Sequence, residues 1–277
     1  MGDGLNAGGV SRLRDQARRV RVAVVRAVAA AKSSHVGSAL SSVDLLVALY
    51  FHALRVDPAR PADPARDRFI MSKAHAGIAL YATLAERGFL PPERLAEYYR
   101  DGGSLAGHAD ATGVPGMDFS AGSLGHGPAV AVGMALRAQR TAQAWRTVTL
   151  LSDGECDEGS TWEAALLAGH LGLDGLAAIV DANGQQGMGR TRDVVDLEPL
   201  PEKWQAFGWS VREIDGHDMA AIVATLDALP FEPGRPSMVI ARTVKGKGVS
   251  FMEDQVLWHY RTPAGEELAQ ALAELGE

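Results

Sequence analysis

The chain has 277 residues, 47% of them apolar, which is enough to form one substantial core. Its formal net charge of −7 argues against general binding to nucleic acid. The apolar run 18–34 is interrupted by Arg21 and Arg26, so we expect neither a secretory signal nor a membrane anchor. Cys156 is the only cysteine, so no disulfide can form within the chain. Together these features predict a cytoplasmic protein.

Helical and strand-like patterns alternate along the first half of the chain. Residues 1–10 are glycine-rich and are expected to be a mobile N-terminus, followed by a single domain over residues 11–277. The predicted elements are a helix over 11–31, a helix capped by Ser41 or Ser42, a strand over 68–71, a helix through Leu84 and a helix over 128–140. Between the last two helices, residues 101–127 are predicted to be a loop because they are dense in glycine.

The second half repeats the alternation of strand and helix. The predicted strands end at Ser152 and Asp181 and then cover 209–214 and 238–242. The predicted helices follow Ser160, surround Trp204, run from a cap at Asp218 to Leu229, and cover 264–275. Ser160 and Glu163 have the spacing of a capping box. Strands alternating with helices predict an α/β fold, a mostly parallel sheet with helices on both faces.

Two short apolar runs each stop at a polar residue followed by glycine. Asp153 follows the first run and Asn183 follows the second. Buried parallel strands have this pattern, and ligands of such sheets bind beyond the carboxyl ends of the strands. A carboxylate, an amide oxygen and a backbone carbonyl leave room for phosphate oxygens around Mg²⁺. The pair therefore predicts a diphosphate-bearing cofactor held through a metal.

The segments Ser152-Asp153-Gly154 and Ala182-Asn183 resemble the Gly-Asp-Gly … Asn-Asn motif of thiamine diphosphate enzymes. Over residues 12–259 the chain resembles the thiamine diphosphate-binding, N-terminal domain of transketolase. The resemblance implies that domain's fold, thiamine diphosphate, and Mg²⁺ with Ca²⁺ or Mn²⁺ as substitutes. It implies Asp153, Asn183 and the backbone carbonyl of Gln185 as metal ligands. Serine and alanine replace two motif residues, but both departures spare the metal positions.

Further cofactor contacts are implied by the same resemblance. Residues 120–127 resemble the family's Thr-Gly-Ser-Leu-Gly-Gln-Gly loop, with His126 in place of glutamine in a similar but titratable role. The residues expected to contact the cofactor are His75, Gly122, Ser123, Leu124, Gly154, Glu155, Asn183 and His259.

Four histidines lie in segments that resemble family motifs. They are His35 in Ser34-His35-Val36-Gly37, His75 in Ser72-Lys73-Ala74-His75, His108 in Leu105-Ala106-Gly107-His108, and His259 in Gln255-Val256-Leu257-Trp258-His259. The resemblance implies that they line the channel above the cofactor and act as catalytic residues on the oxygens of a sugar donor. Imidazoles suit proton transfer near neutral pH.

Other reactive side chains are interpreted as structural. His52 and His170 lie within apolar helices, and His217 precedes Asp218, where it is consistent with a helix cap. The lysines of 245–253 suit either a substrate phosphate or solvent, and solvent is favoured. Cys156 has no paired base in sequence, so a nucleophilic role is not expected.

The resemblance also bears on partners. A full transketolase carries a second domain that binds the aminopyrimidine and supplies an activating glutamate, and then a C-terminal domain. Because this chain ends after the first domain, we expect a split transketolase, completed by a C-terminal transketolase subunit in an α2β2 assembly. Its implied reaction transfers a two-carbon ketol unit from a ketose or ketose phosphate to an aldose or aldose phosphate. The alternatives are another thiamine-dependent synthase or decarboxylase of specialised metabolism, or a non-catalytic cofactor-binding subunit.

Overall fold

The centre of the molecule is a five-stranded, entirely parallel sheet. It is seen in a computed structural model that describes residues 5–277; residues 1–4 lie outside the described part. The strands are β1 Arg68–Met71, β2 Thr147–Ser152, β3 Leu176–Ala182, β4 Ser210–Asp215 and β5 Ser237–Arg242. Their order across the sheet is β1-β2-β3-β5-β4, so β2 and β3 are neighbours. The predicted parallel sheet is confirmed.

Helices cover both faces of this sheet, as predicted. The α-helices are α1 Ala7–Ala31, α2 Val36–Ser41, α3 Val43–Ala48, α4 Gly77–Arg87, α5 His126–Arg140, α6 Gly159–His170, α7 Thr191–Val194, α8 Leu200–Ala206, α9 Met219–Asp227 and α10 Glu266–Glu274. Successive strand side chains point to opposite faces. In β1, Phe69 and Met71 join the core under α1, α3, α4 and α9, whereas Ile70 joins the core under α5, α6 and α8.

The first helix begins earlier than predicted. It begins at Ala7 rather than Ser11, with Asn6 as N-cap accepting a 2.9 Å hydrogen bond from the Gly9 amide. Residues 7–10 therefore belong to the domain rather than to a separate N-terminus. The predicted apolar face is confirmed, because Val20, Val24 and Val28 are all fully buried.

Two predicted caps are wrong. Ser42 precedes α3, but its hydroxyl donates to the carbonyl of Ala39 at 3.0 Å instead of accepting from the helix. Helix α6 begins at Gly159, before Ser160, with Glu158 at the N-cap and no side-chain cap bond. Both helices begin without a side-chain cap bond, so local capping signals do not locate their starts. The cap at Asp218 is confirmed, since its carboxylate accepts from the Ala220 amide at 3.0 Å.

Short tight helices connect these elements to the site. A π-helical segment, Leu49–Ala53, ends the run that begins at α2. Turns of 3₁₀-helix cover Ala74–Ala76, Pro92–Glu97, Gly154–Asp157 and Val256–His259. In the described part of the chain, none of the helices combines the length and the apolar character that crossing a membrane requires.

Candidate active site

The predicted pair of polar residues meets at one edge of the sheet. Ser152, the last residue of β2, lies opposite Asp181 of β3, so the residues that follow leave the sheet side by side. The Asp153 carboxylate accepts a 2.7 Å hydrogen bond from the amide of Gly184, which directly follows Asn183. The two loops are therefore joined to each other, as the parallel arrangement predicted.

The Asp153 carboxylate is buried and lies near a second carboxylate. It is 4% exposed. Burial, followed by the nearby charge of Asp181, raises its pKa to about 6, although the amides of Gly154 and Gly184 and the hydroxyl of Thr191 oppose the shift. Burial and a second carboxylate both destabilise the ionised form of this group. A bound divalent cation would therefore stabilise that ionised form strongly.

The other implied metal ligands are neutral. The side-chain oxygen of Asn183 accepts from the amide of Gln185 at 3.1 Å, and the Gln185 carbonyl lies 3.4 Å from Nζ of Lys245. Within residues 5–277, nowhere do three His, Cys, Asp or Glu side chains group as a metal site. A cation at Asp153 would therefore need further oxygen ligands from a bound ligand or from water. A diphosphate supplies such oxygens to Mg²⁺. The residues fit this group.

Above this edge lies an open cleft of about 280 Å³. Ten of the predicted site residues line it: His35, His75, His108, Gly122, Leu124, Asp153, Gly154, Asn183, Gln185 and His259. Ser123 and Glu155 are not among its lining residues. A Cβ added at Gly122 would have open space around it, whereas one at Gly154 would come within 3.0 Å of Gln186.

Glu155 lies beneath the wall of the cleft. It is fully buried, and its carboxylate accepts from the amides of Gly125 at 2.9 Å and Ser152 at 3.3 Å and from the hydroxyl of Ser72. Burial raises its pKa. The side chain connects the glycine-rich loop to two strand ends, so it shapes the site from below.

The four predicted histidines converge on the cleft. The ring of His35 lies 5.4 Å from that of His75, 5.8 Å from that of His108 and 4.8 Å from that of His259, between centroids. These residues lie in four separate connecting segments, two of them turns of 3₁₀-helix, so only the fold brings them together.

Three of these histidines are neutral at physiological pH. Burial, followed by His108 and Lys245, lowers the pKa of His35 to about 4. Burial, followed by Lys245 and His35, lowers that of His259 to about 3, and burial with Lys73 holds the pKa of His75 well below 6.5. Neutral imidazoles orient and polarise oxygens through N–H donors, which differs from the proton exchange near neutral pH that the sequence predicted.

The low pKa of His35 predicts a pH-dependent contribution to stability. Between pH 6.5 and 4, His35 is protonated in the unfolded chain but not in the folded chain. The free energy of unfolding therefore decreases as the pH falls through this range. His35 has a left-handed backbone (φ 70°), which asparagine tolerates. We expect the advantage of wild type over H35N in free energy of unfolding to shrink between pH 7 and pH 5, measured by urea denaturation. A constant difference would contradict the assignment.

Two buried lysines were not predicted from the sequence. Lys73 forms an ion pair with Asp181 in which both side chains are fully buried. Lys245 was expected in solvent but is 0% exposed, and burial, followed by Lys73, lowers its pKa to about 8. Only Lys247 reaches solvent as expected, beside Glu253. The sequence offered one indication of their burial. Both lysines follow closely after strands, at the edge of the sheet where the site lies.

The remaining histidines have structural roles or lie apart from the cleft. His52 bonds to Asp227 at 2.6 Å, consistent with its predicted structural role. His217 does not cap α9; its Nδ1 contacts Asp44 at 2.8 Å and its Nε2 accepts from the Val244 amide. His126 is exposed at the start of α5, with Nδ1 3.2 Å from the Leu124 carbonyl.

Gly127 brings α5 against the strand end that carries the site. A Cβ there would lie 2.2 Å from Oγ of Ser72 and 3.0 Å from its Cα, whereas one at Gly133 of the same helix meets open space. We expect G127A to lower the free energy of unfolding by about 1–3 kcal/mol through overpacking. The matched G133A should raise it by about 0.5–1 kcal/mol. Urea denaturation of both variants checks this, and equal effects would contradict it.

A buried carboxylate and an amide lie at adjoining strand ends, beside a cleft that four histidines line. The family profile described as "Transketolase, thiamine diphosphate binding domain" matches residues 13–276. The chain therefore belongs to the transketolase family, as an N-terminal, thiamine diphosphate-binding chain. Thiamine diphosphate with a divalent cation is the cofactor of this family.

Relatives of two lengths are similar to the chain. It is 42% identical to the 6-deoxy-6-sulfo-D-fructose transketolase subunit SqwG of a Clostridium species, covering 95% of this chain and 96% of that subunit. It is 40% identical to an apulose-4-phosphate transketolase subunit of Phocaeicola vulgatus, over 97% and 95%. The transketolase of Pichia stipitis, solved in complex with sedoheptulose-7-phosphate, superposes with a TM-score of 0.90 at 31% identity. The superposition covers 96% of this chain but only 41% of that one.

Proposed function

We propose that this chain is the cofactor-binding subunit of a two-component transketolase. The reaction would move a two-carbon ketol unit from a ketose to an aldose. The observation that carries the proposal is the convergence of four histidines above the Asp153 edge. A wall of N–H donors suits a polyhydroxylated substrate with a carbonyl better than it suits a small keto acid.

In this proposal the chain's own residues hold the cofactor and orient the substrate. Asp153, Asn183 and the Gln185 carbonyl would hold Mg²⁺, with Ca²⁺ or Mn²⁺ able to substitute, and Gly154, which has no Cβ, would let the diphosphate approach the backbone. Thiamine diphosphate, when bound, supplies the carbon nucleophile of ketol transfer. The neutral rings of His35 and His259 would then donate hydrogen bonds to substrate oxygens, where fixed donors stabilise developing negative charge.

The proposal requires a partner. The carboxylate that follows Asp153 closely in sequence, Glu155, is fully buried, does not line the cleft and is held by the Ser72 hydroxyl and two amides, so it is not placed to serve as the activating glutamate. Both shorter relatives are matched over at least 95% of their length and are named as subunits. We propose that the partner is a C-terminal transketolase subunit, in an α2β2 assembly that light scattering on the mixed subunits would test.

Substrate chemistry follows from the same relatives. Their names specify a sulfonated ketose and a phosphorylated ketose, both with an anionic group. We propose an anionic ketose as the donor here. We also propose a cytoplasmic location, since the single cysteine, Cys156, has no partner in the chain for a disulfide.

The purified chain alone is expected to show no ketol transfer, and activity should appear only when the partner subunit is added. The measurement is a panel of phosphorylated, sulfonated and neutral ketoses against aldose acceptors, with thiamine diphosphate and Mg²⁺. Robust turnover by this chain alone would refute partner dependence. Turnover of pyruvate but no ketose by the pair would favour the synthase or decarboxylase alternative. No turnover with any donor, despite cofactor binding, would favour a non-catalytic role.

A further inference from the structure

The ammonium group of Lys245 has three acceptors around it. Its Nζ lies 3.4 Å from the backbone carbonyls of Gln185 and Gln186, and 3.0 Å from Nδ1 of His259. An ammonium carries three hydrogens and no lone pair, so it only donates. The ring nitrogen that faces it is therefore an acceptor.

This contact determines the other nitrogen of the ring. A neutral imidazole with an acceptor at Nδ1 carries its hydrogen on Nε2. The ring of His259 is neutral, since its pKa lies at about 3. His259 lines the cleft, and within residues 5–277 its Nε2 makes no hydrogen bond to the protein. That N–H is left for a ligand.

We propose that Lys245 is a positioning residue that holds His259 in the tautomer whose Nε2–H donates into the cleft, toward an oxygen of the bound ligand. The assignment goes beyond the proposed cofactor site and rests on the proposed function only for the identity of that ligand. Without Lys245 the ring is free to place its hydrogen on Nδ1. The cleft would then face a lone pair at Nε2, which repels an anionic oxygen.

The surroundings of Lys245 support this role over simple packing. Its Nζ contacts only neutral acceptors, and burying an ammonium without a carboxylate in contact is costly. A methionine would fill a similar volume at lower cost. The stem of the side chain passes close under the start of α2, since a Cβ at Gly37 would lie 3.1 Å from its Cγ. The ammonium is therefore held in one place.

Histidine nitrogen spectroscopy on the full chain, without cofactor or partner, tests the tautomer directly. The chain is labelled with ¹⁵N at histidine and imidazole spectra are recorded at pH 7, with the His259 signals assigned from H259Q. In wild type we expect a protonated Nε2 and an unprotonated Nδ1. In K245M we expect the Nε2 signal to shift toward the unprotonated position as the second tautomer appears. K247M, in the same segment, is the matched control and should match wild type.

Two results would overturn the proposal: a wild-type spectrum with the hydrogen on Nδ1, or a folded K245M that keeps the wild-type tautomer. If K245M does not fold, as judged by circular dichroism, the wild-type spectrum still decides the tautomer, and K245Q then tests the dependence on Lys245. A glutamine keeps an N–H donor, so K245Q should retain the wild-type tautomer; loss of that tautomer in K245Q would also count against the proposal. Because no partner or substrate is present, failure of ketol transfer leaves this result unaffected.

Discussion

Replacing Asp153 with asparagine should remove Mg²⁺-dependent binding of thiamine diphosphate to the assembled protein, a loss of about 100-fold or more in affinity. Asp153 is the only charged ligand that this chain would offer to the metal, and even groups behind metal ligands are worth about 10–100-fold. The amide keeps an oxygen for the hydrogen bonds from Gly184 and Thr191, so the fold should survive. Calorimetric titration with the cofactor, with and without Mg²⁺, measures the loss.

The matched control is D193N. Asp193 is an exposed carboxylate in α7 that pairs with Arg192 and does not line the cleft, so the same charge is removed outside the site. It should leave the affinity unchanged. If D153N bound thiamine diphosphate with unchanged, Mg²⁺-dependent affinity, the metal assignment would be wrong.

Replacing Asp181 with asparagine should lower the free energy of unfolding by about 3–5 kcal/mol, because it leaves the buried ammonium of Lys73 without a counter-ion. Burial opposes the charge on Asp181, but Lys73 and the hydroxyls of Ser41 and Thr243 outweigh it and lower the pKa of the carboxyl. The other contact of the Lys73 ammonium is the carbonyl of Ser38, at 2.9 Å. A neutral carbonyl does not replace the lost charge.

The double variant K73M/D181N distinguishes the effect of breaking the ion pair from the effect of removing both of its partners. Removing the ammonium as well should recover at least about half of the loss, since a buried pair costs far less to replace than to break. The free energies of unfolding of the wild type, D181N, K73M and the double variant, from urea denaturation, form a complete cycle. Additive effects of the two changes would show that Lys73 and Asp181 do not depend on each other.

Much of the sheet was predictable from local pattern. The central strands β2 and β3 are short apolar runs bounded by turn residues, and both are buried along their whole lengths. Asp153 and Asn183 follow those runs directly, so parallel pairing alone places them at one edge. The family resemblance added the histidines, whose convergence no spacing in the sequence predicts, because they lie in four segments that are far apart along the chain.

The errors at helix ends have two sources. The start at Ala7 follows a local cap at Asn6 that the sequence analysis did not recognise, whereas α3 and α6 begin without a side-chain cap bond, so local capping signals do not locate their starts. From the sequence, a lysine such as Lys245 is predicted to be exposed to solvent. Its burial requires hydrogen-bond acceptors from other parts of the chain, which the local sequence does not indicate. The Gln185 and Gln186 carbonyls and His259 provide them here.

The sequence by itself determined the class of fold and, through the family resemblance, the cofactor, because the apolar runs of the strands and the motifs that follow them are continuous in the chain. Only the tertiary structure decided the chemical state of the site. Burial and nearby cations make His35, His75 and His259 neutral, burial and Asp181 raise the pKa of Asp153, and Lys245 is drawn beneath the cleft. These properties depend on desolvation and on charges brought together from distant segments, which the order of residues does not specify.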